Sequence, residues 1–140
     1  MPTNRSFRRT IPGLAPVLFL ALAALAALAT SAGAEIRPEN RWRIQCSESA
    51  KSDGTILFHV TPEGGATIEV AVQMDRGTGE NAVARRIRDV FRATLPADAF
   101  HVEVDDGEDV LVKRKGSHPK FTLVLVSNDV KSVRIRLDRE

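Results

Sequence analysis

The apolar residues of this chain change their spacing once, and this change limits the folds that the chain can adopt. Over most of the segment 55–137, apolar and polar residues alternate, which is the pattern of a strand with one buried face. In one stretch the apolar residues instead follow helical spacing, at Val83, Ile87, Val90, Phe91 and Leu95. The pattern therefore predicts strands on both sides of a single amphipathic helix.

The predicted elements have the order β-β-β-α-β-β-β-β. The strands are expected at residues 42–46, 55–61, 67–74, 100–104, 110–112, 121–125 and 133–137. The helix is expected to take Thr78 as its N-cap and to stop at Pro96, which cannot continue a helix. We therefore expect an α+β fold of two layers: a mostly antiparallel sheet with one amphipathic helix packed on one of its faces.

The hairpin after the helix turns at an Asp-Asp-Gly sequence that ends at Gly107. A two-residue turn would mix apolar and polar residues on each face of the hairpin. A three-residue loop with Gly107 in the left-handed region keeps the two kinds apart. In this register we expect Val102 to pair with Val110 and Phe100 to pair with Val112.

The N-terminal segment has the three parts of a secretory signal peptide. Arg5, Arg8 and Arg9 precede an uncharged run rich in Leu and Ala, which is followed by an Ala-Gly-Ala sequence that ends at Ala34. We expect residues 1–34 to be a cleavable signal peptide. Residues 35–140 would then form one small domain that is exported to the periplasm or outside the cell.

The charge of the chain depends on this cleavage. The full chain has 20 Lys and Arg against 18 Asp and Glu, and removal of three leader Arg turns its formal charge of +2 into −1. A nearly neutral domain has no overall field that attracts nucleic acid or an anionic membrane. The apolar run of the leader is also shorter than the roughly 20 residues of a membrane-spanning helix. We therefore expect no nucleic-acid partner and no membrane insertion after cleavage.

The single cysteine, Cys46, alternates with Trp42 and Ile44 in the first strand and is expected on its core face. This position favours a buried, unreactive thiol over an intermolecular disulfide or a catalytic nucleophile. The four phenylalanines after the leader, Phe58, Phe91, Phe100 and Phe121, fall on inward phases of their elements and Tyr is absent, so exposed rings for stacking on bases are not expected. Trp42 is the one aromatic residue that we retain as a candidate partner contact.

Five carboxylates surround the turn of the second hairpin, and we call them the acidic tip. They are Glu103, Asp105, Asp106, Glu108 and Asp109. Glu103 is expected to face Asp109, which is unfavourable unless water or a cation compensates. The spacing does not match a calcium-binding loop. A solvated turn is the favoured interpretation, and a calcium site or an acidic docking patch are the alternatives.

Three arginines recur at helical spacing and form what we call the Arg stripe: Arg85, Arg88 and Arg92. Asp89 is placed to reach Arg85 or Arg86 and Arg92. Such a stripe is commonly the solvated face of a helix. Its functional interpretation is the docking of a partner rich in carboxylates or phosphates, because guanidinium groups match those anions.

No motif in the sequence identifies a reaction. The segment 77–82 matches a dinucleotide-binding fingerprint in letters, but it follows a hairpin strand rather than a strand of a parallel βαβ unit. His59, His101 and His118 fall on three different elements, and surface histidines are favoured over a shared metal site. We therefore assign no catalytic, cofactor-binding or metal-binding residue.

Turn glycines and core residues of the chain follow an order that is seen in a known group of modules. The matching positions are Gly54-Thr55-Ile56, 67–72, Gly77, 82–87 and 106–112. Over about residues 54–137 the chain resembles the strand-strand-helix-hairpin modules inserted in flagellar hook-associated and phage tail proteins, such as the hook IN motif. The resemblance implies a non-enzymatic domain that is displayed or docked outside the cytoplasm.

The sequence thus favours a protein-binding or accessory domain over an enzyme, with another protein as the expected partner. Its contact surface would be the Arg stripe or the sheet face opposite the helix. A small hydrolase or enzyme inhibitor, with a site near His59, His101 and Glu103, is one alternative. A structural or assembly module of a surface appendage is another.

Overall fold

A computed structural model describes residues 35–140 of the chain, so the predicted signal peptide lies outside the described residues. The elements are β1 (Arg41–Ser47), β2 (Gly54–Pro62), β3 (Ile68–Met74), α1 (Glu80–Thr94), β4 (Phe100–Asp105), β5 (Asp109–Arg114), β6 (Phe121–Asn128) and β7 (Arg134–Arg139). The α+β class and the order of elements are confirmed.

The seven strands form two antiparallel sheets. One sheet has the order β4-β5-β1-β7 and the other has the order β3-β2-β6. An isolated antiparallel bridge between Glu39 and Phe121 connects the segment just before β1 to the start of β6. The fold is therefore the predicted combination of antiparallel strands and one helix, with the strands divided between two sheets.

Helix α1 contacts both sheets, at the edge strand β3 of one and at β4, β5 and β1 of the other. Its buried residues are Val83, Ala84, Ile87 and Phe91. The predicted N-cap is wrong: Gly79 occupies that position, and the Thr78 hydroxyl donates instead to the Asp75 carbonyl at 2.7 Å. The helix ends at Thr94, two residues before Pro96, as the sequence predicts. Within residues 35–140, no helix has both the length and the apolar character needed to cross a membrane.

The core lies between the inner faces of the sheets and the apolar side of α1. Two edge-to-face aromatic pairs cross it: the ring centroids of Phe58 and Phe91 are 5.2 Å apart, and those of Phe100 and Phe121 are 5.1 Å apart. The Phe58–Phe91 pair joins α1 to β2, and the Phe100–Phe121 pair joins the two sheets. These contacts hold both sheets and the helix around one core.

The β4–β5 hairpin has the predicted loop length but a different register. Its loop is residues 106–108, and Gly107 has a φ of +80°. Val102 pairs with Val112, not with Val110 as predicted. Because the ladder closes on Asp105 and Asp109, directly beside the loop, each partner lies two positions further along β5. A shift of two residues keeps every side chain on the same face, so the predicted separation of faces survives.

Candidate functional site

One arginine of β1 binds three carboxylates on the outer face of the four-stranded sheet. Arg43 Nη1 donates to Asp105 and Asp109, at 3.0 Å each, and Arg43 Nε donates to Glu140. Asp105 and Asp109 are cross-strand partners, so without Arg43 two carboxylates would face each other. Hydrogen bonds to Glu140 and Asp109 raise the pKa of the guanidinium. These two aspartates of the acidic tip therefore serve the fold.

Glu103 does not face Asp109, and this sequence prediction is wrong because of the shifted register. Glu103 accepts hydrogen bonds from Lys113 and, at 3.1 Å, from His101. Lys113 first, and then His101, lower the pKa of the Glu103 carboxyl. A third member of the acidic tip is thus compensated by Lys113, with His101 as a second hydrogen-bond partner on the same hairpin.

The rest of the acidic tip lies against the first turn of α1. A Cβ on Gly107 would be 3.8 Å from Asn81 Oδ1. The negative charge of Glu80 raises the pKa of the neighbouring Glu108. Asp106 and Glu108 are exposed. Among residues 35–140, no group of three or more acidic, histidine or cysteine side chains is arranged to hold a metal ion.

The Arg stripe has a different pattern of partners from the predicted one. Asp89 pairs with Arg88, at 2.7 Å, and not with Arg85 or Arg92. Arg92 Nε donates to the Val102 carbonyl of β4, at 2.7 Å. Arg85 is exposed. Within the part of the chain that the structure describes, neither Arg85 nor Arg92 has a carboxylate within 4.0 Å.

A cleft of about 300 Å³ opens beside Arg92, between the end of α1 and strand β4. We call it the basic cleft. Its cationic or titratable lining residues are Arg92, His101 and Lys115, and its apolar ones are Phe91, Leu95, Ala97, Phe100 and Val102. None of the described residues that line it is acidic.

Main-chain carbonyl groups hold two cations of the basic cleft in place. The Arg92 guanidinium donates to Val102, and Lys115 Nζ donates to the Ala97 carbonyl at 2.6 Å. A neutral acceptor orients a cation without cancelling its charge. Only His101 has an acidic neighbour, Glu103. The cleft therefore keeps a positive charge over an apolar floor.

A larger cleft, of about 420 Å³, lies near the acidic tip and differs in charge. Glu108 and Asp109 line it together with Arg134 and Arg136. Its walls therefore carry charges of both signs. It offers no site of a single sign, in contrast to the basic cleft.

Sequence reasoning finds Arg92 but does not connect it with Lys115. The usable signal is the segment 113–120, which contains several Lys and Arg and no acidic residue. Its position next to the helix end depends on contacts between Lys115 and the loop at Ala97, which no periodicity reveals.

The residues proposed for a catalytic alternative lie on different sheets. His59 belongs to β2, where its Nε2 is 3.5 Å from Glu69, whereas His101 and Glu103 belong to β4. Of the three predicted residues, the structure brings together only His101 and Glu103.

Trp42 is not an exposed contact residue. Its side chain is 4% exposed, and its indole Nε1 donates to the Phe121 carbonyl at 2.9 Å. The expectation of an exposed ring at this residue is wrong, because the alternation that places Trp42 on the core face buries it. Cys46 shares that face and is 2% exposed, so a buried thiol is confirmed. Burial, with a smaller contribution from Asp109, raises the pKa of the Cys46 thiol to about 12.

Comparisons of the chain with models of protein families, with curated proteins and with solved structures found no match. The resemblance to flagellar and phage tail modules stays a prediction.

Proposed function

We propose that this protein is an exported, non-catalytic binding domain that docks an acidic protein partner on the Arg stripe and the adjoining basic cleft. One observation carries the proposal: the described residues that line the cleft include Arg92 and Lys115, each bonded to a main-chain carbonyl and without a carboxylate within 4.0 Å in the described structure, and none of them is acidic. A carboxylate-rich partner would supply the missing charge.

The rest of the molecule supports this interpretation by contrast. Outside the docking surface, Arg43 has three carboxylate partners and Arg136 has one. Charges that are paired within the fold add little attraction for a partner. Cations that face neutral carbonyls keep their field, and such a field steers an oppositely charged protein and fixes its orientation.

The length of the Arg stripe suits an extended segment of a partner. Arg85 and Arg92 are seven residues apart, which corresponds to about 10 Å along a helix axis. An extended peptide covers about the same distance in three residues. Guanidinium groups bind carboxylates in a forked geometry, so the arginines of the stripe could bind successive acidic residues of the partner.

Export is part of the proposal and is supported by the basic, apolar and Ala-Gly-Ala segments of residues 1–34. Intact-mass measurement of the protein recovered from the exported fraction should give Glu35 as its first residue. A retained leader would contradict export by this route.

Affinity capture from the envelope extract of the native host tests the docking surface. The bait variants are wild type, Arg85→Gln/Arg88→Gln/Arg92→Gln, and a matched control, Lys51→Gln/Arg76→Gln/Lys131→Gln. The control removes three exposed cations near the opposite end of α1, so both variants change net charge equally. Circular dichroism spectra should show that both variants are folded.

We expect wild type and the control to retain an acidic protein that the stripe variant loses. Increasing salt should release the same protein, because exposed charges are screened. Equal retention by the stripe variant would overturn the proposed docking surface.

A further inference from the structure

The chemistry of the basic cleft identifies the part of a partner that would enter it. We propose that the cleft binds a peptide C-terminus, with the terminal carboxylate at Arg92 and Lys115 and an apolar last side chain on Leu95 and Phe100. The inference rests on the proposed function and names the ligand class of the same site.

The lining of the cleft is complementary to a ligand that carries an anionic group and an apolar group close together. Its cations stand beside Leu95 and Phe100, core residues that remain 5% and 7% exposed, whereas Phe91 is fully buried. An Asp or Glu side chain would offer the charge without the apolar part. A C-terminal Leu, Val or Phe carries a carboxylate and an apolar side chain on the same Cα.

The donors needed for a carboxylate remain available in the cleft. The bond from Arg92 Nε to Val102 leaves both terminal nitrogens of the guanidinium for another acceptor. Lys115 Nζ has three N–H groups and uses one on Ala97. Because main-chain carbonyls already hold both side chains, binding would immobilise them at a reduced entropic cost.

The size of the cleft limits how much of a peptide it can hold. Its volume of about 300 Å³ is at the lower end of the range of ligand pockets, which suits one residue. The preceding residues would run along α1 from Arg92 towards Arg85, because Arg88 is already paired with Asp89. Seven helical residues span about 10 Å, or roughly three residues of extended peptide. An acidic residue is therefore expected at the fourth position from the partner's C-terminus.

Titration of the exported, isotopically labelled protein with synthetic peptides, followed by amide chemical shifts, tests the inference. The probe is acetyl-Glu-Asp-Glu-Leu with a free carboxylate, and its matched control is the same peptide with a C-terminal amide. We expect the free acid to shift amides of residues 91–102 and 114–116. Amidation removes the anion while keeping the Leu side chain, and should weaken binding about tenfold or more.

Protein variants locate the effect. Lys115→Gln should weaken the free-acid peptide and leave the amidated peptide unchanged, whereas Lys131→Gln should change neither. Lys115 is exposed and its variant is expected to fold, so the test does not depend on Arg92, which also bonds to β4.

The outcomes separate this inference from the proposed function. Equal binding of the two peptides, or shifts that miss the cleft, would overturn C-terminal recognition. Capture of an acidic partner that still depends on the Arg stripe would then leave the proposed docking surface standing. Failure of that capture, by contrast, removes the docking surface on which this inference rests.

Discussion

The two ends of the β4–β5 hairpin carry opposite charges and use them differently. At the turn, Asp105 and Asp109 share Arg43, a residue of a third strand. At the open end, Lys115, the residue after β5, donates to the Ala97 main-chain carbonyl and has no carboxylate within 4.0 Å in the described part of the chain. The charges at the turn hold strands together, whereas those at the open end remain available to a partner. Charge density in a sequence therefore says little about docking until the partners within the fold are known.

The largest expected effect is the loss of Arg43. Arg43→Met should leave Asp105 and Asp109 facing each other without a cation and lower the free energy of unfolding by about 2 kcal/mol at neutral pH. Urea denaturation measures the change. Arg136→Met is the control, because Arg136 is exposed and pairs only with Asp138 in the described structure. If Arg43→Met lowers the free energy of unfolding no more than Arg136→Met does, the charges at the turn do not hold the strands together.

The left-handed residue at the turn gives the next largest effect. Gly107→Ala should lower the free energy of unfolding by about 1 kcal/mol, because a Cβ is strained at a φ of +80°. Gly107→Asn should recover part of the loss, since Asn tolerates the left-handed region better. The neighbouring side-chain atoms would stand 3.8 Å from the new Cβ, which is an ordinary contact. Equal stability of wild type and Gly107→Ala in urea would show that the loop has another backbone conformation.

Two glutamates of the same hairpin should titrate in opposite directions. Lys113 and His101 lower the pKa of Glu103, and Glu80 raises the pKa of Glu108. Side-chain carboxyl resonances followed against pH should show Glu103 below and Glu108 above the ordinary value of about 4.3. A pKa of Glu103 above that of Glu108 would contradict these interactions.

The raised pKa of Glu108 has a consequence for stability. The folded protein holds this proton more tightly than the unfolded chain, so its contribution is fully present below the unfolded pKa and is lost as pH rises through the folded pKa. Glu108→Gln should therefore stabilise the protein slightly at neutral pH, and the gain should vanish in acid. Urea denaturation at both pH values measures it, and a gain that persists unchanged in acid would exclude this cause.

The smallest effect is expected at the open end of the hairpin. Lys115→Gln should change the free energy of unfolding by less than about 0.5 kcal/mol, because the side chain is exposed and bonds only to a carbonyl in the described structure. The same urea assay applies. If Lys115→Gln lowers the free energy of unfolding as much as Arg43→Met does, this cation also stabilises the fold.

Local spacing was sufficient to predict several features of the fold. Alternation placed Trp42 and Cys46 in the core, helical spacing located α1, and Gly107 indicated the left-handed turn. These features depend on residues that are near one another in the chain. The alternation that places Trp42 on the core face also accounts for the burial of its ring.

Features that depend on distant residues could not be predicted in this way. Arg43 is more than sixty residues from Asp105 and Asp109, and its role depends on the order of strands in the sheet. Alternation identifies the face of a strand but not its neighbour, so the sequence predicted one sheet where the structure has two. The basic cleft also depends on distant residues, because Arg92 belongs to α1 and Lys115 follows β5.

The most direct test of the contrast between the two ends needs no partner. Paramagnetic relaxation of amide protons by an anionic cosolute, compared with a neutral one of similar size, reports the local potential in solution. We predict a stronger effect of the anionic cosolute around Arg92 and Lys115 than around Arg43, whose charge three carboxylates compensate. An equal effect at both places, or a stronger one at Arg43, would contradict the claim that the basic cleft keeps its charge for a partner.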